Sequence, residues 1–327
     1  MARFSIGEAY GEGFRLIARK PLPVLVWGLV YFILRGLPFA LMMLLFGPHI
    51  VDVYADFIAS AMRGDSEPDM QRLVELSTQM QLISLLDMVL PVVAAAIINA
   101  AIYRAVLRPE DGGFLHMKLG MDEVWQGLLF VCVLILFFIL AFVVALGAAA
   151  LIAAVFFIGE GMGSPGGGWI KGLGITAIVV AAIVGLIWVG LRFSMAGPAT
   201  FDNRTFQLFE SWTLTKGQAW PLFGLALLLA ITLLAIQLVL SAAFLAAFLA
   251  AGSIEALSPE AMEAFFAQPV ETWLAQATPW MIGVTLISAL LTGALYVIWS
   301  APWARAYSQL AARLRPAADA PLPEGEI

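Results

Sequence analysis

Long stretches without a charged residue dominate this chain of 327 residues. Four of them contain no Asp, Glu, Lys or Arg: 124–159, 172–191, 217–254 and 272–304. Each is long enough to cross about 30 Å of hydrocarbon as a helix, which takes roughly 20 residues. Hydrophobic residues make up 62% of the sequence, more than one soluble core of this length can bury. Alternating ten-residue strands are absent, so the sequence predicts an all-α, polytopic membrane bundle.

Six transmembrane helices are predicted in this bundle. They cover about 23–46, 82–107, 126–158, 170–191, 221–252 and 279–300. A polar excursion is expected at 47–81, between the first two spans. Of the 17 Lys and Arg residues, 13 fall in the N-terminal segment, the 104–118 and 192–216 loops and the C-terminus, while 11 carboxylates fall in the alternate loops. Because basic loops stay inside, both termini of this multi-pass protein are expected to be cytoplasmic.

A short pattern recurs three times, each time before a long apolar run. Its copies are Phe4-x-Ile6-x-Glu8-Ala9-Tyr10, Leu119-x-Met121-x-Glu123-Val124-Trp125 and Phe206-x-Leu208-x-Glu210-Ser211-Trp212. We interpret each copy as a cytoplasmic interfacial amphipathic helix that leads one of three tandem units. The predicted units are 1–115, 116–203 and 204–315, which together form a single integral membrane domain (1–315). Residues 316–327 are expected to be a disordered cytoplasmic tail.

The repeated glutamates and aromatic residues allow two interpretations. In one, each glutamate caps or anchors its helix while the neighbouring aromatic residue lies in the interfacial belt. In the other, the three helices form a cytoplasmic ring that contacts a partner or lipid headgroups, and nearby basic residues favour anionic lipid. The candidate residues for interface or headgroup contacts are Glu8, Tyr10, Glu123, Trp125, Arg204, Glu210, Trp212 and Lys216.

Three polar residues within the predicted spans form the candidate intramembrane site. Arg35 lies midway along the first span, and Asp87 and Asn99 lie in the second. Ionisable groups in hydrocarbon are costly and tend to face a cavity or each other. The structural interpretation is an Arg35–Asp87 pair that fixes packing, or an arginine that snorkels outward. The functional alternatives are a polar pocket for a lipid headgroup or small anion, and a proton or ion pathway.

Residues that carry known chemistry are scarce. The two histidines, His49 and His116, fall in loops on opposite sides of the membrane and are expected at the surface. No metal-binding or nucleophile motif is found, so we predict no metal, no cofactor and no enzymatic activity. Alanines at every fourth position of the third span favour an internal packing seam over a subunit interface; they are Ala141, Ala145, Ala149 and Ala153.

The segment 191–224 carries a family resemblance. Its residues are Leu191-Arg-Phe-Ser, Gly197-Pro198 and Glu210-Ser-Trp-x-Leu-Thr-Lys-Gly-x-x-Trp-x-Leu-Phe-Gly224. This pattern resembles the glycerophosphoryl diester phosphodiesterase membrane-domain family of six-helix bacterial membrane modules. The resemblance implies residence in the bacterial inner (plasma) membrane and a link to lipid or envelope metabolism. The phosphodiesterase barrel that follows this module in some members is not expected here, so no catalytic residue is carried over.

Two functional hypotheses follow from these observations. The first is a non-enzymatic inner-membrane protein that binds lipid or a membrane partner in envelope or lipid homeostasis. The alternative is a transporter or channel for a small or amphiphilic solute. The expected partners are membrane lipids, with another membrane protein or a second copy of the chain as further candidates. Nucleic acid is not expected, because acidic and basic residues are separated by loop.

Overall fold

The computed structural model describes residues 4–63, 70–111, 113, 115–161, 167–250 and 270–314. Regular structure in these ranges is helical, without a strand, which confirms the all-α prediction. The predicted tail at 316–327 lies outside the described residues. The helices, in chain order, are α1 (Ile6–Arg19), α2 (Pro21–Arg63), α3 (Met70–Gln79), α4 (Gln81–Leu107), α5 (Met121–Gly161), α6 (Gly167–Phe193), α7 (Ala196–Asn203), α8 (Glu210–Leu214), α9 (Ala219–Ala250) and α10 (Val270–Leu314), with a 3₁₀ turn at Pro109–Asp111 between α4 and α5.

Five helical segments of the described chain are long and apolar enough to cross a membrane. They are Pro21–Gly47, Ile83–Leu107, Met121–Phe157, Lys171–Asn203 and Ala219–Ala246. These segments agree with the first five predicted spans and support a multi-pass membrane protein. The sixth predicted span, 279–300, lies within the continuous helix α10, and its crossing of the membrane stays a prediction.

Helix α2 is longer than the sequence predicted. It continues through 47–63, where a polar excursion was expected. The segment 49–63 contains neither glycine nor proline, the two residues least favourable inside a helix. A helix that has begun can therefore continue through it, because each further residue adds a backbone hydrogen bond. Residues 64–69 lie outside the described ranges. Beyond them, α3 is followed by α4, with Met80 between the two helices.

The helices pack around α4 and α10. Helix α10 packs against α1, α2 and α4, and α4 also contacts α2 and α5; α9 lies against α1, α6 and α10. Helices α2 and α10 approach so closely that a Cβ at Gly293 would lie 2.2 Å from the carbonyl oxygen of Val24 and 2.9 Å from Cα of Gly28. This contact needs glycine, because a side chain there has no space.

Most of the buried core lies at one end of the bundle. We call this the polar end and define it as α1, α7, α8, the 108–120 loop and the ends of the long helices that meet them. There, Ala9 and Leu16 of α1 and Phe201 of α7 are buried against the long helices. The short helices therefore fill the bundle at this end.

The three copies of the repeated pattern adopt three different local structures. The first is the separate helix α1, whose buried face holds Ala9, Gly13 and Leu16. The second is no separate helix, since Met121 already begins the long helix α5. The third contains only the five-residue helix α8. The prediction that a separate interfacial helix leads every unit is therefore wrong for the second copy, because no helix-ending residue separates Glu123 from the apolar run.

The predicted alanine seam is also wrong. Ala145, Ala149 and Ala153 are exposed on α5, because α5 packs on α4, α6 and α7 through other residues. These alanines therefore do not lie in an internal interface of the described structure.

Candidate functional site

An ion pair joins Arg35 of α2 to Asp87 of α4. The two side chains are 50% and 54% exposed, so the pair lies on the outside of the bundle. Arg35 is about 21 Å along α2 from its first residue, at a rise of 1.5 Å per residue. The pairing that the sequence suggested is thus present, but the pair is not buried. The guanidinium of Arg35 and the carboxylate of Asp87 neutralise each other's charge.

Asn99 is not part of this pair. It lies 12 residues after Asp87, about 18 Å further along α4, and its Oδ1 accepts a hydrogen bond of 2.7 Å from Oγ of Ser300. The structure therefore brings together two of the three candidate intramembrane residues, and it places the third between α4 and α10.

A crevice of about 760 Å³ opens beside Asn99, between α4, α5, α9 and α10. Its polar side chains are uncharged, and five aromatic residues contribute to its wall. The polar residues are Asn99, Gln237 and Ser300, and the aromatic residues are Tyr103, Phe130, Tyr296, Trp299 and Trp303. The crevice residues of α4, α5 and α9 lie within helical segments that can span the membrane. It can therefore take an apolar molecule that carries a neutral hydrogen-bonding group.

Sequence reasoning missed this crevice. Its residues come from four helices that are separated by up to two hundred positions along the chain, and aromatic residues in apolar runs are common. Asn99, a candidate pocket residue from the sequence, does line the crevice, and Gln237 was a second signal, because an amide inside a span of α9 needs hydrogen-bond partners. In the structure its Nε2 makes a long contact of 3.5 Å to Oγ of Ser241.

A buried ionic cluster occupies the polar end. Nη2 of Arg104 lies 2.7 Å from Oε1 of Glu123, and the two side chains are 3% and 6% exposed. Nη1 of Arg104 donates to the carbonyl oxygen of His116 at 2.6 Å, and Oε2 of Glu123 accepts from the backbone N–H of Gly120 at 3.0 Å. Asp122 lies 3.4 Å from Arg104. The buried pair of Arg104 and Glu123 joins α4 to the start of α5.

Arg108, one turn after Arg104 on α4, ties α7 to the same cluster. Its Nη2 donates to the carbonyl oxygen of Phe201 at 2.6 Å, and its Cζ lies 4.2 Å from the centroid of the Phe201 ring. The sequence did contain a signal for this cluster. Two arginines four residues apart lie on one helix face, and two adjacent carboxylates, Asp122 and Glu123, follow after a short loop.

His116 was expected at the surface, and that prediction is wrong. It is buried, and its Nε2 lies 2.7 Å from Nζ of Lys20. Burial lowers the pKa of Lys20 below its ordinary value. His116 is buried because the loop before α5 folds back under the junction of α1 and α2. There, Nε1 of Trp27 donates to the carbonyl oxygen of Leu115 at 2.8 Å.

The candidate residues of the first copy lie along the seam between α1, α9 and α10. The exposed carboxylate of Glu8 accepts from Nε2 of Gln309 at 3.1 Å and lies 3.6 Å from Arg305. The hydroxyl group of Tyr10 shares a hydrogen bond of 2.9 Å with Thr232 of α9. Both residues therefore hold α1 in place.

The candidates of the other two copies differ in exposure. Glu123 is buried in the ionic cluster, so its carboxylate does not face headgroups, whereas Trp125 is partly buried. Arg204 is exposed and lies 3.4 Å from Asp111. The candidate residues Glu210, Trp212 and Lys216, in the third copy and just after it, are all exposed.

Comparison of the chain with protein-family models, with curated proteins and with solved structures finds no match. The resemblance to the glycerophosphoryl diester phosphodiesterase membrane-domain family therefore stays a prediction.

Proposed function

We propose that this chain is a non-enzymatic multi-pass membrane protein that binds a lipid or similar amphiphile in the crevice between α4, α5, α9 and α10. The single observation that carries the proposal is the lining of this crevice. It combines five aromatic side chains with three neutral polar ones, and its residues from α4, α5 and α9 lie in segments that can span the membrane. Its volume of about 760 Å³ falls in the range of small-molecule sites, roughly 300–1,000 Å³.

The lining also favours a class of ligand. Asn99 and Gln237 offer amide donors and acceptors without net charge, which suits a hydroxyl, ester or amide group better than a bare ion. Such groups lie next to the acyl chains of lipids. The proposed setting is lipid or envelope homeostasis in a bacterial inner membrane with both chain termini in the cytoplasm, in keeping with the distribution of basic loops and the family resemblance.

The crevice can be tested by filling it. Leu234 lines the crevice and is exposed on α9, whereas Leu238, one turn further on, is equally exposed but is not part of the lining. We expect Leu234→Trp to reduce the lipid retained through purification in mild detergent by about tenfold, equivalent to about 1.4 kcal/mol, and Leu238→Trp to retain as much as the wild type. Native mass spectrometry reports bound lipid, bound protein partners and stoichiometry in one measurement. Equal retention by both variants contradicts the proposal.

A transporter for a small or amphiphilic solute is the second candidate function. The Arg35–Asp87 pair favours it, because paired ionisable groups within spans often mark a solute or ion path. The pair lies on the outside of the bundle rather than along an internal path, and this position favours lipid binding over transport. Substrate-dependent flux in proteoliposomes that disappears in Arg35→Leu would establish the transporter instead.

A further inference from the structure

The end of α6 presents an arginine that is held between two tryptophans. Cζ of Arg192 lies 5.0 Å from the ring centroid of Trp188 and 5.4 Å from that of Trp212. The two indoles meet edge to face, with centroids 5.3 Å apart and an interplanar angle of 87°. Stacking of this kind fixes the plane of the guanidinium and reduces its hydration.

The guanidinium has unused hydrogen-bonding capacity. Within the part of the chain that the structure describes, Nε and Nη1 of Arg192 are buried and have no acceptor, although the residue as a whole is only partly buried. Buried donors without acceptors are uncommon in proteins, because each one loses its hydrogen bonds to water. An oxyanion from outside the chain would satisfy them, and it would approach past Trp212, whose side chain is 39% exposed.

Backbone contacts hold this arrangement in place. Oγ of Ser211 donates to the carbonyl oxygen of Arg192 at 2.6 Å and accepts from the backbone N–H of Met195 at 3.1 Å. Ser211 is fully buried. The third copy of the repeated pattern therefore has a definite local role: its serine docks α8 on the end of α6, and the next residue, Trp212, is placed against Arg192.

An apolar groove leads away from this arginine. It lies between α6 and α9, has a volume of about 370 Å³ and includes Val184, Trp188, Trp220 and Phe223 in its lining. The indole of Trp188 belongs both to this groove and to the stack on Arg192. From Val184 to Leu191, the residue before Arg192, the groove runs about 10 Å along α6, about two-thirds of the roughly 15 Å depth of one leaflet.

We propose that Arg192 and this groove form a binding site for a phospholipid with net negative charge. One acyl chain would lie in the groove, and the phosphate would bind the guanidinium at the boundary where headgroups lie. Charge and shape together carry the assignment, since an apolar groove alone would hold any chain, and the fixed cation at its end selects an anion. This site is separate from the crevice of the proposed function, and either can be disproved without the other.

The test uses the full chain in nanodiscs that contain equal amounts of phosphatidylglycerol and phosphatidylethanolamine. After extraction, native mass spectrometry gives the ratio of the two lipids that stay bound. We expect Arg192→Gln to lower this ratio by about fivefold, the effect of one basic residue at an anionic surface. The control is Arg19→Gln, which removes an exposed arginine of α1 at the same end of the bundle, outside the lining of the groove, and should leave the ratio unchanged.

A second pair of variants tests the groove without touching the charge. Val184→Trp fills the groove, whereas Val180→Trp places the same side chain one turn away, outside the lining. We expect only Val184→Trp to lower the retained phosphatidylglycerol. Circular dichroism and gel filtration confirm that each variant is folded. The proposal is overturned if Arg192→Gln and Val184→Trp both retain the wild-type ratio, or if the wild type holds the two lipids in bulk proportion, as annular lipid does. Loss of retention in Leu234→Trp alone would leave only the crevice as a lipid site.

Discussion

The polar end of the bundle and the half remote from it are built differently. At the polar end, α1, α7 and α8 fill the space between the long helices, and the charged side chains of Arg104 and Glu123 are buried. In the remote half, none of the stretches 138–157 of α5, 171–184 of α6 and 234–246 of α9 contains a buried residue. Lipid tails are as apolar as leucine, so no hydrophobic force drives these stretches together in a membrane. Among the described residues, the buried contacts are concentrated at the polar end, and the exposed apolar side chains of the remote half are suited to contact with lipid.

The largest effect on stability is expected for Glu123→Gln at the polar end. It leaves Arg104 as a buried cation without its closest carboxylate, and breaking a buried pair in this way costs about 3–5 kcal/mol. We expect a corresponding loss in the free energy of unfolding, measured by thermal denaturation in detergent. Glu210→Gln, at the equivalent and exposed position of the third copy, is the control and should behave as the wild type.

A double variant distinguishes the lost pair from a general loss of packing. Replacing both partners, as Arg104→Met with Glu123→Leu, removes both buried charges and should recover most of the lost stability. If Glu123→Gln is no less stable than Glu210→Gln, the ionic cluster does not stabilise the polar end.

The next effect is expected at the crossing of α2 and α10. Gly293→Ala introduces a Cβ that would lie 2.2 Å from the carbonyl oxygen of Val24, so the helices must separate at a cost of about 1–3 kcal/mol. Gly283→Ala on the same helix has no atom within 4 Å of the new Cβ and should be neutral or slightly stabilising, because alanine favours a helix. Equal melting temperatures for the two variants would show that the close approach is not needed.

A smaller effect is expected for the exposed ion pair. Asp87→Asn leaves Arg35 without its partner on the outer face of a span. Because the long arginine side chain can extend towards water, we expect a cost of about 1 kcal/mol, below the roughly 2.5–3.5 kcal/mol of an arginine held at the bilayer centre. A double-mutant cycle with Arg35→Gln measures their coupling energy directly. The same cycle on Arg104 and Glu123 measures the coupling energy of the buried pair. The contrast between the two regions is contradicted if the exposed pair couples as strongly as the buried one.

The smallest effect is a dependence of stability on pH at Lys20. Because burial lowers the pKa of Lys20 from 10.5, the unfolded state binds more protons than the folded state just below pH 10.5. The free energy of unfolding should therefore rise with pH in that range. We expect the melting temperature of the wild type, relative to that of Lys20→Met, to increase slightly as the pH is raised towards 10.5. A constant difference would show that Lys20 is not perturbed.

The sequence predicted the all-helical class and the first five apolar spans well, because long uncharged runs permit few alternatives. It also suggested that Arg35 and Asp87 pair, since each is an isolated charge among apolar residues. It did not predict the buried position of His116. The glycines at 112 and 113 indicated a loop, and loops usually lie at the surface, whereas this one folds under Trp27.

The candidate sites could be predicted only in part. The pairing of Arg104 with Glu123 depends on how α4 meets the start of α5, which local patterns do not encode. The same is true of the crevice, whose wall combines Asn99 of α4 with Gln237 of α9 and Trp303 of α10. Recurrence of the pattern at Glu8, Glu123 and Glu210 suggested one shared role. The three glutamates instead have different surroundings, because tertiary packing outweighs a short local similarity.

The contact between α1 and α10 has a consequence for biosynthesis. The backbone N–H of Ser5 donates to Oε1 of Gln309 at 2.9 Å, across 304 positions of the chain. At about 5–20 residues per second, translation separates these two residues by about 15–60 s. Throughout that interval α1 has been made but its main docking surface has not. Helix α1 is therefore made before the other described helices, yet it can reach its final place only after α10 is complete.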